Sequence, residues 1–176
     1  MEPQKMRKCL KLLTLLISSL LIATVSAQIY NYMYIQGSGQ VTTGEGLKWE
    51  LGSDLPTPAP TITGPTVSGL DLTTNDGTKR NYTDCLHLVN QDVSAHTFNI
   101  TVTTSSGDWT DFTEFNLVLF NASGSQQAVL NLKTLDEVTG LSIPGSATWT
   151  VLFELIPIPA ATGTPVGTFE VTLTYE

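Results

Sequence analysis

The feature that most constrains the fold of this chain is a repeated alternation of apolar and polar residues. It is clearest in residues 97–104, 148–155 and 168–175. Successive side chains of a β-strand point to opposite faces, so this alternation predicts strands with one buried face. Threonine is abundant in these segments, as is typical of half-buried strands. No segment after residue 28 has the periodicity of a long amphipathic helix.

Weaker segments of the same kind occupy much of the remaining chain. Four prolines in residues 54–65 indicate an extended connector or an edge strand, and residues 136–139 have room for one helical turn at most. Turn sequences rich in glycine separate the strands. The pattern predicts an all-β fold, a single antiparallel β-sandwich of jelly-roll or Ig-like type. The weaker predicted strands are residues 41–51, 67–73, 81–89, 116–120 and 126–132.

The N-terminal region has a different character, because no charged residue occurs between Lys11 and Glu45. Basic residues precede an apolar run over residues 12–24, and small residues then lead up to Ala27. This arrangement is typical of a secretory signal peptide that is cleaved after Ala27. The alternative is a retained membrane helix, since residues 12–35 are long enough to span about 30 Å of hydrocarbon. Three tyrosines in the second half of that segment favour the signal peptide.

Cleavage at that position would leave a strongly acidic chain with one cysteine. Residues 28–176 contain four basic and 15 acidic residues, hence a formal net charge of −11. Such a surface disfavours nucleic acid and anionic lipid as partners, so contact with a membrane is expected only during export. Cys85 is then the single cysteine of the chain. It is therefore expected either to be a small buried apolar residue or to form a disulfide with another chain.

No arrangement typical of catalysis occurs in the sequence. His87 and His96 lack the spacing typical of metal ligands, and there is neither a nucleophile elbow nor a phosphate-binding loop. We therefore expect no enzymatic activity and no cofactor. A secreted carbohydrate-active enzyme is a distant alternative, which would need two carboxylates about 5–9 Å apart.

Three carboxylates are the strongest candidates for a metal site. Asp108, Asp111 and Glu114 follow one another at intervals of three residues in a predicted loop. Carboxylates and backbone carbonyls are typical ligands of Ca²⁺. The same side chains are equally suited to capping turns, and the segment has no EF-hand pattern. A bound Ca²⁺ ion is therefore an alternative to our expectation that the chain binds no metal.

Three sequons for N-glycosylation follow the predicted signal peptide, with Asn81, Asn99 and Asn121 as their acceptors. Chains rich in Thr, Ser and Asn produce such triplets by chance. Asn99 has additional support, because alternation places it on the strand face opposite Phe98 and Ile100. The sequence thus favours Asn99 as a candidate acceptor in an exported glycoprotein.

Residues 28–35 form an aromatic, strand-forming segment directly after the predicted cleavage site. Gly37 and Gly39 follow it and predict a hinge. A free apolar strand is an aggregation hazard. It is therefore expected either to be the first strand of its own domain or to insert into a neighbouring subunit, as in donor-strand complementation. Its alternating side chains are Ile29, Met33 and Ile35 on one face and Tyr30, Tyr32 and Tyr34 on the other.

Three further segments resemble parts of surface β-sandwich modules. Residues 88–102 resemble a hairpin of strand, Asn, turn and strand, residues 141–151 a strand that begins after Pro-Gly, and residues 159–174 a final Gly-aromatic strand. With the N-terminal segment, this organisation resembles TasA-like biofilm-matrix fibre subunits and the archaeal bundling pilins. The resemblance implies that residues 29–35 are a donor strand and that residues 168–175 are a candidate acceptor edge.

The sequence therefore predicts a signal peptide over residues 1–27, a donor strand and hinge over 28–39, and a β-sandwich over 40–176. The expected function is that of a structural subunit of an extracellular filament or pilus. It would polymerise with identical subunits and serve adhesion or biofilm cohesion. The alternative is a membrane-anchored cell-surface module that retains its N-terminal helix and displays one Ig-like domain.

Overall fold

The computed structural model describes residues 32–33, 39–42, 46–75, 78–107, 109–158 and 167–175. The chain divides into two compact units, Met1–Tyr32 and Met33–Glu176, and the sandwich belongs to the second. Every regular element in the described residues is a β-strand, which confirms the all-β prediction. The strands are β1 (Tyr32–Met33), β2 (Gly39–Thr42), β3 (Leu47–Leu51), β4 (Thr61–Thr63), β5 (Thr66–Ser68), β6 (Thr74–Asn75), β7 (Arg80–Asn90), β8 (His96–Gly107), β9 (Phe112–Phe120), β10 (Gln126–Asn131), β11 (Glu137–Ile143), β12 (Thr148–Pro157) and β13 (Gly167–Tyr175).

The strands form two large sheets that pack together. One sheet has five strands in the order β10-β9-β12-β7-β3, and the other has six in the order β11-β8-β13-β2-β5-β4. Among the described ladders of these sheets, the pairing is antiparallel except between β2 and β13, which run parallel. Strands β10 and β11 meet at one lateral border of the sandwich, and β3 and β4 meet at the other. The predicted sandwich is thus confirmed, with one parallel pair. Strands β1 and β6 form a separate two-stranded sheet.

The core lies between the two large sheets and follows from the alternation in the sequence. In β12, alternate side chains from Trp149 to Leu155 are buried. Phe115 of β9 meets Phe169 of β13 edge to face, with ring centroids 5.6 Å apart, so this pair joins the two sheets. Each such side chain contributes roughly 1.5–3 kcal/mol on full burial. The largest buried side chains are Trp49, Trp149, Phe98, Phe115, Phe153 and Phe169.

The predicted hairpin over residues 88–102 is wrong. Strand β7 pairs with β12 and β3, whereas β8 pairs with β11 and β13, so the chain crosses from one sheet to the other between them. Asn90 holds this crossing, because its Nδ2 donates to the carbonyl oxygens of Ser94 (2.8 Å) and Pro144 (3.0 Å). The short turn between two strands predicted the wrong connection, since local sequence does not specify the ladder partner.

Other segments differ from the prediction in their bounds. Residues 41–51 contain strands of two different sheets, because Gly46 between them has a φ of 86°. Strand β4, within the proline-rich residues 54–65, is an edge strand as predicted. Residues 137–139 form the start of β11, so the segment 136–139 contains no helical turn. Most side chains of this edge strand are exposed and a bulge interrupts its ladder, so the sequence shows no clear alternation here.

Candidate assembly site

The candidate acceptor, β13, is an interior strand. Strand β8 pairs with it along Gly167–Tyr175, and β2 pairs with its opposite side along residues 169–172. The edge that the resemblance implies as an acceptor is therefore occupied by a strand of the same chain. An incoming strand would have to displace β2 in order to pair at residues 169–172 of β13.

Strand β2 fills a slot between β13 and β5. Its Gly39 pairs with Phe169 of β13, and its Val41 pairs with Val67 of β5. No ladder joins β5 directly to β13 in the described residues. Without β2, each of these strands would present unpaired backbone groups, which is the typical template for pairing with another chain. We call this position the β2 slot.

The β2 slot has an apolar floor. The side chains of Phe169 and Val171 on β13 and of Val67 on β5 are at most 1% exposed. Gly39 lies on the ring of Phe169, since a Cβ at this position would come 2.5 Å from Cε2 and Cζ of that ring. A strand in this slot therefore completes the core as well as the sheet.

The parallel pairing fixes the direction from which the chain enters the β2 slot. Gly39 pairs with Phe169 near the start of β13, and Thr42 pairs with Thr172 three residues further along it. The chain thus enters at the end of the sandwich where β13 begins. The predicted donor strand precedes Gly39 in the sequence and is joined to β2 without an intervening domain.

The residues of the predicted donor strand fall mostly outside the described residues. This holds for Ile29, Tyr30, Tyr34 and Ile35 and for Gly37 of the predicted hinge. Tyr32 and Met33 form the short strand β1, and Gly39 is the first residue of β2. The predicted hinge therefore ends inside a strand.

The predicted carboxylate site is only partly described. Asp108 lies outside the described residues, Asp111 is half-buried in the turn before β9, and Glu114 is exposed on β9. Glu114 accepts a hydrogen bond of 3.2 Å from Nδ2 of Asn116. Within the described part of the chain, no three His, Cys, Asp or Glu side chains lie close enough to hold a metal ion.

Asp84 brings a serine and a histidine together, but in an order unsuited to nucleophilic catalysis. Its Oδ2 accepts hydrogen bonds from Oγ (2.7 Å) and N (3.0 Å) of Ser53, and its Oδ1 lies 2.6 Å from Nε2 of His87. The bonds from Ser53, followed by the contact with His87, lower the pKa of Asp84 below its ordinary value. Since the carboxylate lies between the other two groups, the imidazole does not contact the hydroxyl as a general base must.

The basic residues of the described chain are used within the fold. Lys48 pairs with Glu50, Lys79 with Glu154, and Arg80 with Asp54. Arg80 also stacks 4.6 Å above the ring of Tyr82, in the wall of a cavity of about 340 Å³. Nζ of Lys133 donates to the carbonyl oxygen of Phe112. These contacts leave the acidic excess of the chain unneutralised.

Cys85 and Asn90 are buried in β7. The Cys85 side chain is fully buried, and burial is the main cause that raises the pKa of its thiol to about 12. Asn90 is 1% exposed, and its Oδ1 accepts a hydrogen bond from the backbone N of Asp92. Sequence reasoning did not recognise this role of Asn90, because Pro144, whose carbonyl it bonds, lies about 50 residues further along the chain.

The described residues contain no helix with the length and apolarity needed to cross a membrane. Comparison of the chain with models of protein families finds no match. Comparison with curated proteins finds none either.

Proposed function

We propose that the protein is an exported structural subunit of an extracellular filament that serves adhesion or biofilm cohesion. The N-terminal strand of one subunit would enter the β2 slot of the next subunit. The observation that carries this proposal is the β2 slot itself, in which a short N-terminal strand closes a sheet that no other described strand completes.

The β2 slot needs a strand but not necessarily its own. Phe169, Val171 and Val67 are buried beside β2, so an empty slot would expose apolar surface and two unpaired strand edges. A strand from a second copy would restore the ladder and cover this apolar surface. Exchange of an element between identical chains is a low-cost route to assembly. Here residues 28–35 of one subunit would take the position that β2 holds in the single chain.

The length of the N-terminal strand also supports exchange. Strand β13 has nine residues, whereas β2 pairs with four of them. The eight residues from 28 to 35 are longer than β2. They bring three aliphatic side chains, each of which contributes roughly 1.5–3 kcal/mol when fully buried. Ordering the strand costs roughly 1–2 kcal/mol per residue, so burial and the added backbone hydrogen bonds must together offset that cost.

The direction of entry into the slot is compatible with propagation. The chain enters β2 at the end of the sandwich where β13 begins, and β13 itself ends at the opposite end. An arm that leaves one subunit and enters the slot of the next makes a heterologous, head-to-tail contact. Such contacts generate an open filament unless the rotation closes a ring. The export of the subunit would rest on cleavage after Ala27, which predicts a mature N-terminus at Gln28.

The test is a comparison of assembly by four chains in electron microscopy. The native mature chain should form fibres. A chain with I29D and M33D should stay monomeric, because charged side chains cannot be buried unpaired in the slot. Circular dichroism and thermal unfolding should show that this variant is folded, since the sandwich residues are unchanged.

The matched control is V93D, which makes the same type of change at a side chain that is 92% exposed in the β7–β8 connection. V93D should form fibres like the native chain. Fibres of unchanged length from a chain that lacks residues 28–35 would refute the proposal. A native N-terminus upstream of Gln28 would instead favour the membrane-anchored module.

A further inference from the structure

The acceptor residues of the three sequons have similar exposure but lie in different secondary structure. Asn81, Asn99 and Asn121 are all half-buried. Asn81 lies on β7, Asn99 lies on β8, and Asn121 lies in the turn between β9 and β10. A transferase must reach both the acceptor amide and the hydroxyl two residues later, so the groups to which these atoms are bonded decide which sequon is available.

Asn81 is paired in a β-ladder, and both the acceptor residue and Thr83 of its sequon make structural contacts. It pairs with Glu154 of β12, and its Oδ1 is buried. The backbone N of Thr83 donates to Oδ2 of Asp54 at 2.8 Å, and the Thr83 hydroxyl faces the same oxygen at 3.5 Å. The hydroxyl of this sequon therefore faces Asp54 rather than the amide of Asn81.

Asn99 has a structural role that its sequence position does not reveal. Its Oδ1 accepts a hydrogen bond of 2.8 Å from the backbone N of Gly140, at the bulge of β11. The hydroxyl of Thr101 donates to Oε1 of Glu137 at 3.2 Å, also on β11. Asn99 thus bridges two strands of a sheet, and the hydroxyl of its sequon is bonded to Glu137 rather than to the acceptor amide.

Asn121 is in a different setting. Its Oδ1 accepts hydrogen bonds from Oγ (2.7 Å) and N (3.0 Å) of Ser123 and from N of Ser125 (2.9 Å). The hydroxyl that defines the sequon therefore already contacts the acceptor amide, in a turn whose next four residues are exposed. All of these bonds end on Oδ1, and none of the described hydrogen bonds uses Nδ2.

Space is available beside the Asn121 side chain. It borders an open cleft of about 280 Å³, together with Gln127, Pro144 and Trp149. The cleft thus leaves room for a first sugar beside this residue. We propose that Asn121, rather than Asn81 or Asn99, is the acceptor of an N-linked glycan in the exported protein.

The transfer requires a lipid-linked oligosaccharide phosphate as donor and a transferase as catalyst. A bond forms between Nδ2 of Asn121 and the anomeric carbon of the first sugar. The bond between that carbon and the phosphate oxygen breaks, and the lipid phosphate leaves with the electron pair. One proton of the amide passes to a base of the transferase.

A glycan at Asn121 is compatible with strand exchange. The β9–β10 turn lies on the side of the sandwich where β10 meets β11, whereas the β2 slot lies towards the side where β3 meets β4. The proposal depends on export but not on polymerisation. Filaments without a glycan at Asn121 would overturn the glycan proposal and leave the proposed function intact. Monomers that carry the glycan but form no filament would support the glycan proposal and contradict the proposed function.

The experiment is peptide mass spectrometry of the mature protein purified from its own cells. Trypsin is unsuitable, because residues 81–133 form one tryptic peptide with all three sequons. Cleavage after acidic residues instead separates them into peptides 77–84, 93–108 and 115–136. We expect a glycan mass on peptide 115–136 and unmodified peptides for the other two sequons.

Two variants of the sequon sharpen the result. S123A should abolish the glycan, although Asn121 is retained, whereas S123T should keep it because threonine also completes a sequon. N99Q should leave the glycan on peptide 115–136 unchanged. An unmodified Asn121 in the exported protein, or occupancy at Asn81 or Asn99 equal to that at Asn121, would overturn the proposal.

Discussion

Gly39 and Phe169 are in direct contact, and while β2 fills the slot of its own chain no side chain larger than hydrogen fits between them. A Cβ on Gly39 would come 2.5 Å from two carbon atoms of the Phe169 ring. The ring itself is fully buried and packs against Phe115 and Phe153, so it has little room to move. This contact couples the register of β2 to the core of the sandwich.

We therefore expect G39A to weaken the pairing of β2 with β13. Overpacking of this kind costs roughly 1–3 kcal/mol. Urea unfolding should show that loss, and hydrogen exchange should show faster exchange in β2 (Gly39–Thr42) than in β12. The double variant G39A/F169L should lose less stability than the two single variants added together, because the leucine leaves space for the new methyl group. Strict additivity of the two changes would contradict the contact.

Asn90 should be important for stability although it is polar. N90A leaves the carbonyl oxygens of Ser94 and Pro144 without their donor in a partly buried place. We expect a loss of roughly 2–3 kcal/mol in the free energy of unfolding. The control N116A removes a hydrogen bond to the exposed Glu114 and should change stability by about 0.5 kcal/mol or less. Equal effects of the two substitutions would refute this role.

Asp84 predicts a pH dependence with a defined sign. Ser53 and His87 lower the pKa of Asp84 in the folded chain. A carboxyl whose pKa is lowered on folding stabilises the fold above its unfolded pKa, and this contribution disappears as the pH falls through the folded pKa. D84N should therefore be less stable than the native chain at pH 7, by about 1 kcal/mol. Urea unfolding should show this gap narrowing below pH 3.8, the ordinary value. A gap that widens as the pH falls would be incompatible with this role of Asp84.

The thiol of Cys85 should be unreactive in the folded chain. It is fully buried, and its pKa is raised to about 12, so the thiolate is rare at pH 8. A thiol reagent should label the native protein slowly and the urea-unfolded protein completely. Fast labelling of the native chain, or a disulfide-linked dimer on a non-reducing gel, would instead favour the intermolecular bridge.

The sequence predicts the central strands well, because their burial is one-sided. Residues 97–104, 148–155 and 168–175 alternate in composition, and the structure buries alternate residues in β8, β12 and β13. Strand β11 was missed because most of its side chains are exposed. An exposed edge strand is not required to alternate.

Which strands become neighbours is much harder to predict. The parallel pairing of β2 with β13 joins residues about 130 positions apart, and no local pattern encodes it. The dependence on distant strands also limits what the sequence predicts about the sequons. Alternation correctly placed Asn99 on the face opposite Phe98, but its bond to Gly140 depends on a strand 41 residues away.

The central claim is that the β2 slot of each subunit receives a strand from its neighbour, and a helical reconstruction of the native assembly by cryo-electron microscopy tests it most directly. We predict a tandem array in which residues 28–35 of one subunit lie beside β13 (Gly167–Tyr175) of the next. Single particles, or an array in which every β2 slot is filled by its own chain and no strand crosses between subunits, would contradict it.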